Sequence, residues 1–143
     1  MKKQILVRKK KFTVVEILAV VLIISMLAVF VIPRAFKGMS KAKGDIARSK
    51  MAIIEGALGK FYLDCQRFPD ESEGLNALIT MPADMENQWT GPYLKKSDLL
   101  DPWKNNYVYQ AEGAVNIGSY DLKSYGADGS EGGEGENSDI INE

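Results

Sequence analysis

From Phe12 to Ile32 the chain offers a helix almost nothing but hydrocarbon. Phe12-Thr13-Val14-Val15-Glu16-Ile17 opens the run and Pro33 closes it. Between Ile17 and Ile32 there is no charge, and Ser25 is the only polar side chain. A helix rises about 1.5 Å per residue, so about 20 apolar residues are needed to cross a bilayer. The run reaches that length only when Phe12 to Glu16 are counted in, which puts a carboxylate in the first turns of a membrane-length helix. An unpaired charge deep in hydrocarbon costs about 2.5–3.5 kcal/mol on insertion scales, so it marks function and wants a partner. The other reading is that Glu16 lies at the headgroup boundary and snorkels into water.

Ahead of the run lie Lys2, Lys3, Arg8, Lys9, Lys10 and Lys11. Such a basic leader stays cytoplasmic under the positive-inside rule, which puts the chain beyond the span on the far side of the membrane. A secretory signal peptide would be cut after its apolar stretch at an Ala-x-Ala-like site, and the sequence has no such site there. The sequence therefore divides into a leader (1–11), a membrane helix (12–33) and one small domain (34–143).

Composition narrows what that domain does. The net charge of −1 gives no overall attraction to nucleic acid, and the charge is uneven: basic in the first third, acidic from Glu131 to Glu143. There is no His, the commonest general base and metal ligand. Cys65 is alone, so no intrachain disulfide is possible, and without an activating neighbour it reads as packing. No Ser/His/Asp set, zinc spacing or phosphate loop occurs, so an enzyme is not expected.

After Pro33 and Gly38, where a kink or melted turn is expected, Ala47, Met51, Ile54, Leu58, Phe61 and Cys65 recur at spacings of four and three. That is one stripe of an amphipathic helix. The reading is one long bent helix from Phe12 to about Asp64, its second half packed on a sheet; the alternative is two helices joined near Gly38–Gly44. Arg67-Phe68-Pro69-Asp70 ends the helix. A short one comes next, with Ser72 as N-cap and Leu75, Leu78 and Ile79 on one face. Gly91-Pro92-Tyr93-Leu94 and Asp101-Pro102-Trp103 read as turns. Tyr107–Gln110 and Ser119–Ser124 read as strands. In the second, Tyr120 and Leu122 face the core while Asp121 and Lys123 face water. The fold class is α+β, a long helix on a small antiparallel sheet.

The tail carries Asp128, Ser130, Glu131, Glu134, Glu136, Ser138 and Asp139 among glycines 129, 132, 133 and 135. Its spacing is not that of an EF-hand loop. Composition alone favours a solvated, disordered tail. A calcium ion, which takes about 6–8 oxygen ligands, is the competing reading.

Basic charge, Phe-Thr-x-x-Glu and an apolar span, in that order, resemble the class III signal of type IV pilins and type II secretion pseudopilins. Further on come Tyr62-Leu63-Asp64, Arg67-Phe68-Pro69, Glu73-Gly74-Leu75-Asn76-Ala77-Leu78, Gly91-Pro92-Tyr93-Leu94, Asp101-Pro102-Trp103 and Ser124-Tyr125-Gly126-Ala127-Asp128-Gly129. Together these look like the major pseudopilins of type II secretion. The resemblance implies a pilin-like fold and cleavage between Lys11 and Phe12 by a prepilin peptidase, with methylation of Phe12 afterwards. Lys11 stands where that family nearly always has Gly.

It also implies that Glu16 serves assembly, and that calcium binds the tail through Asp128 and Asp139. Ser138 stands where some relatives have another Asp, and Tyr125 and Ser130 would contribute carbonyls. Glu143 ends a chain that in many relatives ends in Trp. The partners implied are further copies of the chain, other pseudopilins, inner-membrane secretion components and the membrane, with no nucleic acid. The place implied is the bacterial inner membrane, crossed once, with the domain in the periplasm. The implied function is a subunit of a pseudopilus that exports folded proteins across the outer membrane. A type IV pilus subunit for adhesion, motility or DNA uptake is the alternative. The absence of a Cys pair and the acidic tail argue against it.

Overall fold

The computed structural model describes residues 12–83 and 85–142, with backbone alone for residues 30–37. The leader, Lys11 and Glu143 lie outside the described residues. By its contacts the chain divides into two units, Met1–Gly38 and Met39–Glu143. A helix, α1 (Val14–Cys65), contributes to both. Residues 38–44 are helical, so the alternative of two helices joined there is not met.

In the first unit Thr13 caps α1. The Glu16 amide donates to Thr13 Oγ1 at 3.3 Å and to the Thr13 carbonyl at 3.1 Å. That satisfies an N–H group the first turn would otherwise leave unpaired. Apart from Glu16 in its first turn and Ser25, the helix beyond the cap is apolar: Val14, Ile17, Leu18, Val21, Leu22 and Met26 are all exposed. Among the described residues no helix is long and apolar enough to cross a membrane. From Val14 to Val29 a helix rises about 24 Å, against roughly 30 Å of hydrocarbon. The rest of the expected span, residues 30–33, lies outside the described side chains.

In the second unit the predicted stripe is the core. Ala47, Ile54, Leu58 and Phe61 have no exposure, and Met51 and Cys65 almost none. Against them pack Leu75, Leu78, Leu99, Tyr107, Tyr109, Tyr120, Leu122 and Ile140. Truncating a buried residue such as Leu58 or Phe61 to alanine costs about 2–5 kcal/mol. The sheet is antiparallel with order β1 (Val108–Gln110), β2 (Asp121–Ser124), β3 (Ile140–Ile141). Tyr109 stands opposite Leu122, and Lys123 lies between Val108 and Ile141. The Tyr107 hydroxyl donates to the Ala47 carbonyl at 2.7 Å, fastening the sheet to α1.

Three local expectations are corrected. Both faces of β2 are covered: Asp121 has no exposure and Lys123 only 9%, so neither faces water. The β1–β2 connection closes over Asp121, and Lys123 Nζ donates to Gln110 at 2.7 Å and stands 3.7 Å from Asp121. The short helix is a 3-10 turn over Gly74–Leu78, and Ser72 does not cap it. Asp70 instead accepts the Ser72 hydroxyl and the amides of Ser72 and Glu73, while Arg67 grips Glu73 through two 2.6 Å hydrogen bonds. The tail, expected from composition to be disordered, is built into the unit as a 3-10 turn (Gly135–Asn137) and as β3.

The stretch after the Gly74–Leu78 turn is tied back to α1. Asp64, near the C-terminus of that helix, accepts the hydroxyls of Thr90 (2.6 Å) and Tyr93 (2.7 Å). Those hydrogen bonds hold its carboxyl below the usual carboxylate range. Gly91 is required here, because a Cβ at that position would lie 2.6 Å from the Trp89 ring.

Candidate functional site

The tail is organised from the Asp-Pro-Trp turn. Asp101 is almost fully buried; one carboxylate oxygen accepts the amides of Trp103 and Asn105, the other the Ser124 hydroxyl at 2.7 Å. Asn105 then donates to the Gly126 carbonyl at 2.7 Å. Gly126 has φ +67°, and a Cβ there would meet the Glu136 carbonyl at 2.6 Å. Only glycine allows that crossing. The Ala127 amide donates to the same carbonyl at 2.9 Å, closing the loop from 127 to 136.

Within this frame four of the five predicted ligands fall into two pairs, with Tyr125 apart from both. Asp128 is exposed and accepts the Ser130 amide at 3.1 Å. Ser138 and Asp139 instead line a cavity of about 250 Å³ against α1, with Lys41, Asp45, Arg48 and Trp103 on its walls. Tyr125 is half-buried. Among the described residues no group of three or more His, Cys, Asp or Glu side chains is gathered for a metal. A cation here would take two carboxylates at most and fill its shell with carbonyls and hydroxyls, as calcium does. One observation fits such a cation. Asp139 Oδ2 accepts the Gly132 amide at 2.9 Å, while Oδ1 is buried without a hydrogen-bond partner. A buried carboxylate oxygen left in that state is costly, and a cation satisfies it.

The loop also reaches α1 through Glu136, 3.6 Å from Lys43, whose ammonium stands 6.0 Å from the centre of the Trp103 ring. The sequence placed Asp101 in a turn and Glu136 in the acidic tail, but assigned neither its contact with the rest of the unit. For Asp101 the signal was present, since Asp before Pro is a turn former whose side chain accepts nearby amides.

At the other end of α1, Phe12 and Glu16 are exposed one turn apart, with Thr13 between them. Thr13-Val14-Val15-Glu16 has the spacing of a helix capping box, and an acidic residue in the first turn favours the helix dipole. The same residues that resemble a processing signal therefore also start the helix.

The profile of the family described as type II secretion system (T2SS), protein G, matches residues 34–143. The chain belongs to that family. It is 39% identical to the type II secretion system core protein G of Vibrio cholerae serotype O1 over 92% of this chain and 89% of that one. It is also 39% identical to that of Pseudomonas aeruginosa, over 92% of each chain. Against that of Escherichia coli K12 it is 35% identical over 89% of this chain and 88% of the other. Among solved structures, the major pseudopilin of the type 2 secretion system of enterohaemorrhagic Escherichia coli superposes with a TM-score of 0.59 and 28% identity. The match covers 73% of this chain and 90% of that one. Family and fold agree with the α+β architecture, a helix packed on three short antiparallel strands.

Proposed function

We propose that this chain is the structural subunit of a type II secretion pseudopilus and has no catalytic role. Subunits wait in the inner membrane with the second unit in the periplasm, then leave the membrane and stack into a filament that helps drive folded proteins through the outer membrane. The observation that carries this reading is the match to the major pseudopilin fold together with an exposed helix before it that is apolar apart from Glu16 and Ser25. A helix this apolar belongs in lipid or in a bundle of its own kind, and a pseudopilin uses both in turn. Nothing in the named relatives favours a type IV pilus.

Cleavage between Lys11 and Phe12 frees an amine close to Glu16. The amine of one subunit pairs with Glu16 of the next, which offsets the cost of each charge in an apolar bundle and fixes the axial register. Calcium folds the tail, held by Asp128 and Asp139 with oxygens from Tyr125, Ser130 and Ser138. When bound it supplies positive charge to a loop whose carboxylates otherwise repel one another. Asp139 Oδ1 is the oxygen that lacks any other partner. Other pseudopilins, inner-membrane secretion components and a prepilin peptidase are the expected partners. Deleting the chain from its host should strand exoproteins in the periplasm, and restoring it should release them. Normal secretion in the deletion strain would refute the proposal.

A further inference from the structure

Two side chains outside the tail loop reach into it, and they carry unequal weight. Lys43 stands 3.6 Å from Glu136, with the two side chains 38% and 39% exposed, so water screens the pair and it contributes little. Asn105 is placed differently. Its own amide donates to the buried Asp101 carboxylate at 2.9 Å, and its Nδ2 donates to the Gly126 carbonyl at 2.7 Å. A Cβ built on Gly129 would lie 3.2 Å from Asn105 Oδ1 and 3.3 Å from its Cγ, so the same side chain also lies against that glycine. It therefore touches both ends of the turn 126–129.

Between those ends sits Asp128. Gly126 and Gly129 take φ of +67° and +66°, a conformation glycine enters without steric cost and leaves as readily. A carboxylate hung between two such hinges gives up much freedom when it closes on an ion, unless the hinges are fixed beforehand. Asn105 fixes them, and Asp101 fixes Asn105 while holding the Ser124 hydroxyl just ahead of the turn. We propose that Asn105 is the positioning residue of the cation site: without touching the ion, it sets calcium affinity by holding the turn that carries Asp128. This rests on the calcium reading above and names the residue outside the loop that governs it. Groups one step removed from a metal change its affinity about 10–100-fold when replaced.

The test is calcium titration calorimetry on the full chain in detergent, with melting curves in chelator and in saturating calcium. Asn105→Ala removes one part-buried hydrogen bond and should still fold, yet weaken calcium about tenfold and shrink the calcium-induced rise in Tm. Asn105→Asp keeps the size and adds a negative charge, which alone would tighten a cation. It also loses the donor and sets an oxygen against the Gly126 carbonyl, so it should weaken calcium as well. Lys43→Ala should leave the affinity unchanged; an equal loss there would mean that any tie to the loop serves, and overturns the proposal. Tighter binding by Asn105→Asp overturns it too, being the mark of a direct ligand or of charge alone. So does an Asn105→Ala chain whose two melting curves fall together with calcium affinity intact, the result of a merely structural role. An unmutated chain that binds no calcium overturns the calcium reading and the positioning role with it.

Discussion

Asp139 and Gly132 are joined by one hydrogen bond, 2.9 Å from the glycine amide to Oδ2, and the other carboxylate oxygen has no hydrogen-bond partner although it is buried. Ligand binding to the folded form alone adds RT ln(1 + [Ca]/Kd), about 2.7 kcal/mol at a hundredfold excess over Kd. Residues 39–143, produced as a separate protein, should therefore melt lower and be digested faster in chelator. Calcium should restore both, and magnesium should do so less well, since it tolerates irregular oxygen cages poorly. Asp139→Ala and Asp128→Ala should make the melting temperature indifferent to calcium, whereas Glu134→Ala should not. Melting curves that superimpose with chelator and with millimolar calcium would remove the ion from the account.

Asp121 contributes to the acid sensitivity of the second unit, alongside Asp64, Asp70 and Glu73, whose carboxyls are also held below the usual range. Burial raises the Asp121 pKa, but the amides of Val115, Asn116 and Ala114 and the nearby Lys123 outweigh that and hold it below the usual carboxylate range. Because the folded-state value is depressed, the stabilisation is fully present above about pH 4, the ordinary Asp value. It is lost as pH falls through the folded pKa. Asp121→Asn removes the charge and turns donors toward donors. We expect it to cost about 2–3 kcal/mol in urea unfolding and to flatten the stability profile below pH 4. An unchanged denaturation midpoint would show that the loop does not depend on this carboxylate.

How much of this was legible in the sequence depends on what fixed each part. The stripe from Ala47 to Cys65 was, because a helix converts spacing directly into a face. The membership of Asp121 and Lys123 in a wet face was misread, since alternation tells which side a residue points to and not what covers that side. The cover comes from the β1–β2 connection, whose amides close on Asp121, and from Gln110, which accepts the Lys123 ammonium. The order of the tail itself was hidden for the same reason. Composition describes the segment alone, whereas Asn105, Ser124 and Asp101 hold it from outside. The Asp128 and Asp139 pair was named from resemblance, and the structure seats Asp139 against α1 while leaving Asp128 exposed.

Glu16 is the residue whose two roles separate most cleanly. It lies in the first turn of α1, where any charge-stabilising effect on the dipole is small, about 0.3–1 kcal/mol. Glu16→Gln should keep the helix start and lose the charge, and Glu16→Leu should in addition ease membrane insertion. Both variants should accumulate in the inner membrane at normal levels yet fail to assemble. Filaments of normal number and length from Glu16→Leu would exclude the charge pair as the source of register.

The central claim is that this chain is a pseudopilin whose subunits begin at Phe12 once assembled, and one mass spectrum tests it most directly. Filaments are purified from the native host, and the N-terminal peptide of the subunit is measured intact. The account predicts a peptide starting at Phe12 and carrying one added methyl group on its amine. It also predicts faster maturation when Lys11 is replaced by Gly. Filaments whose subunits still begin at Met1, leader intact, in cells that secrete normally would contradict it.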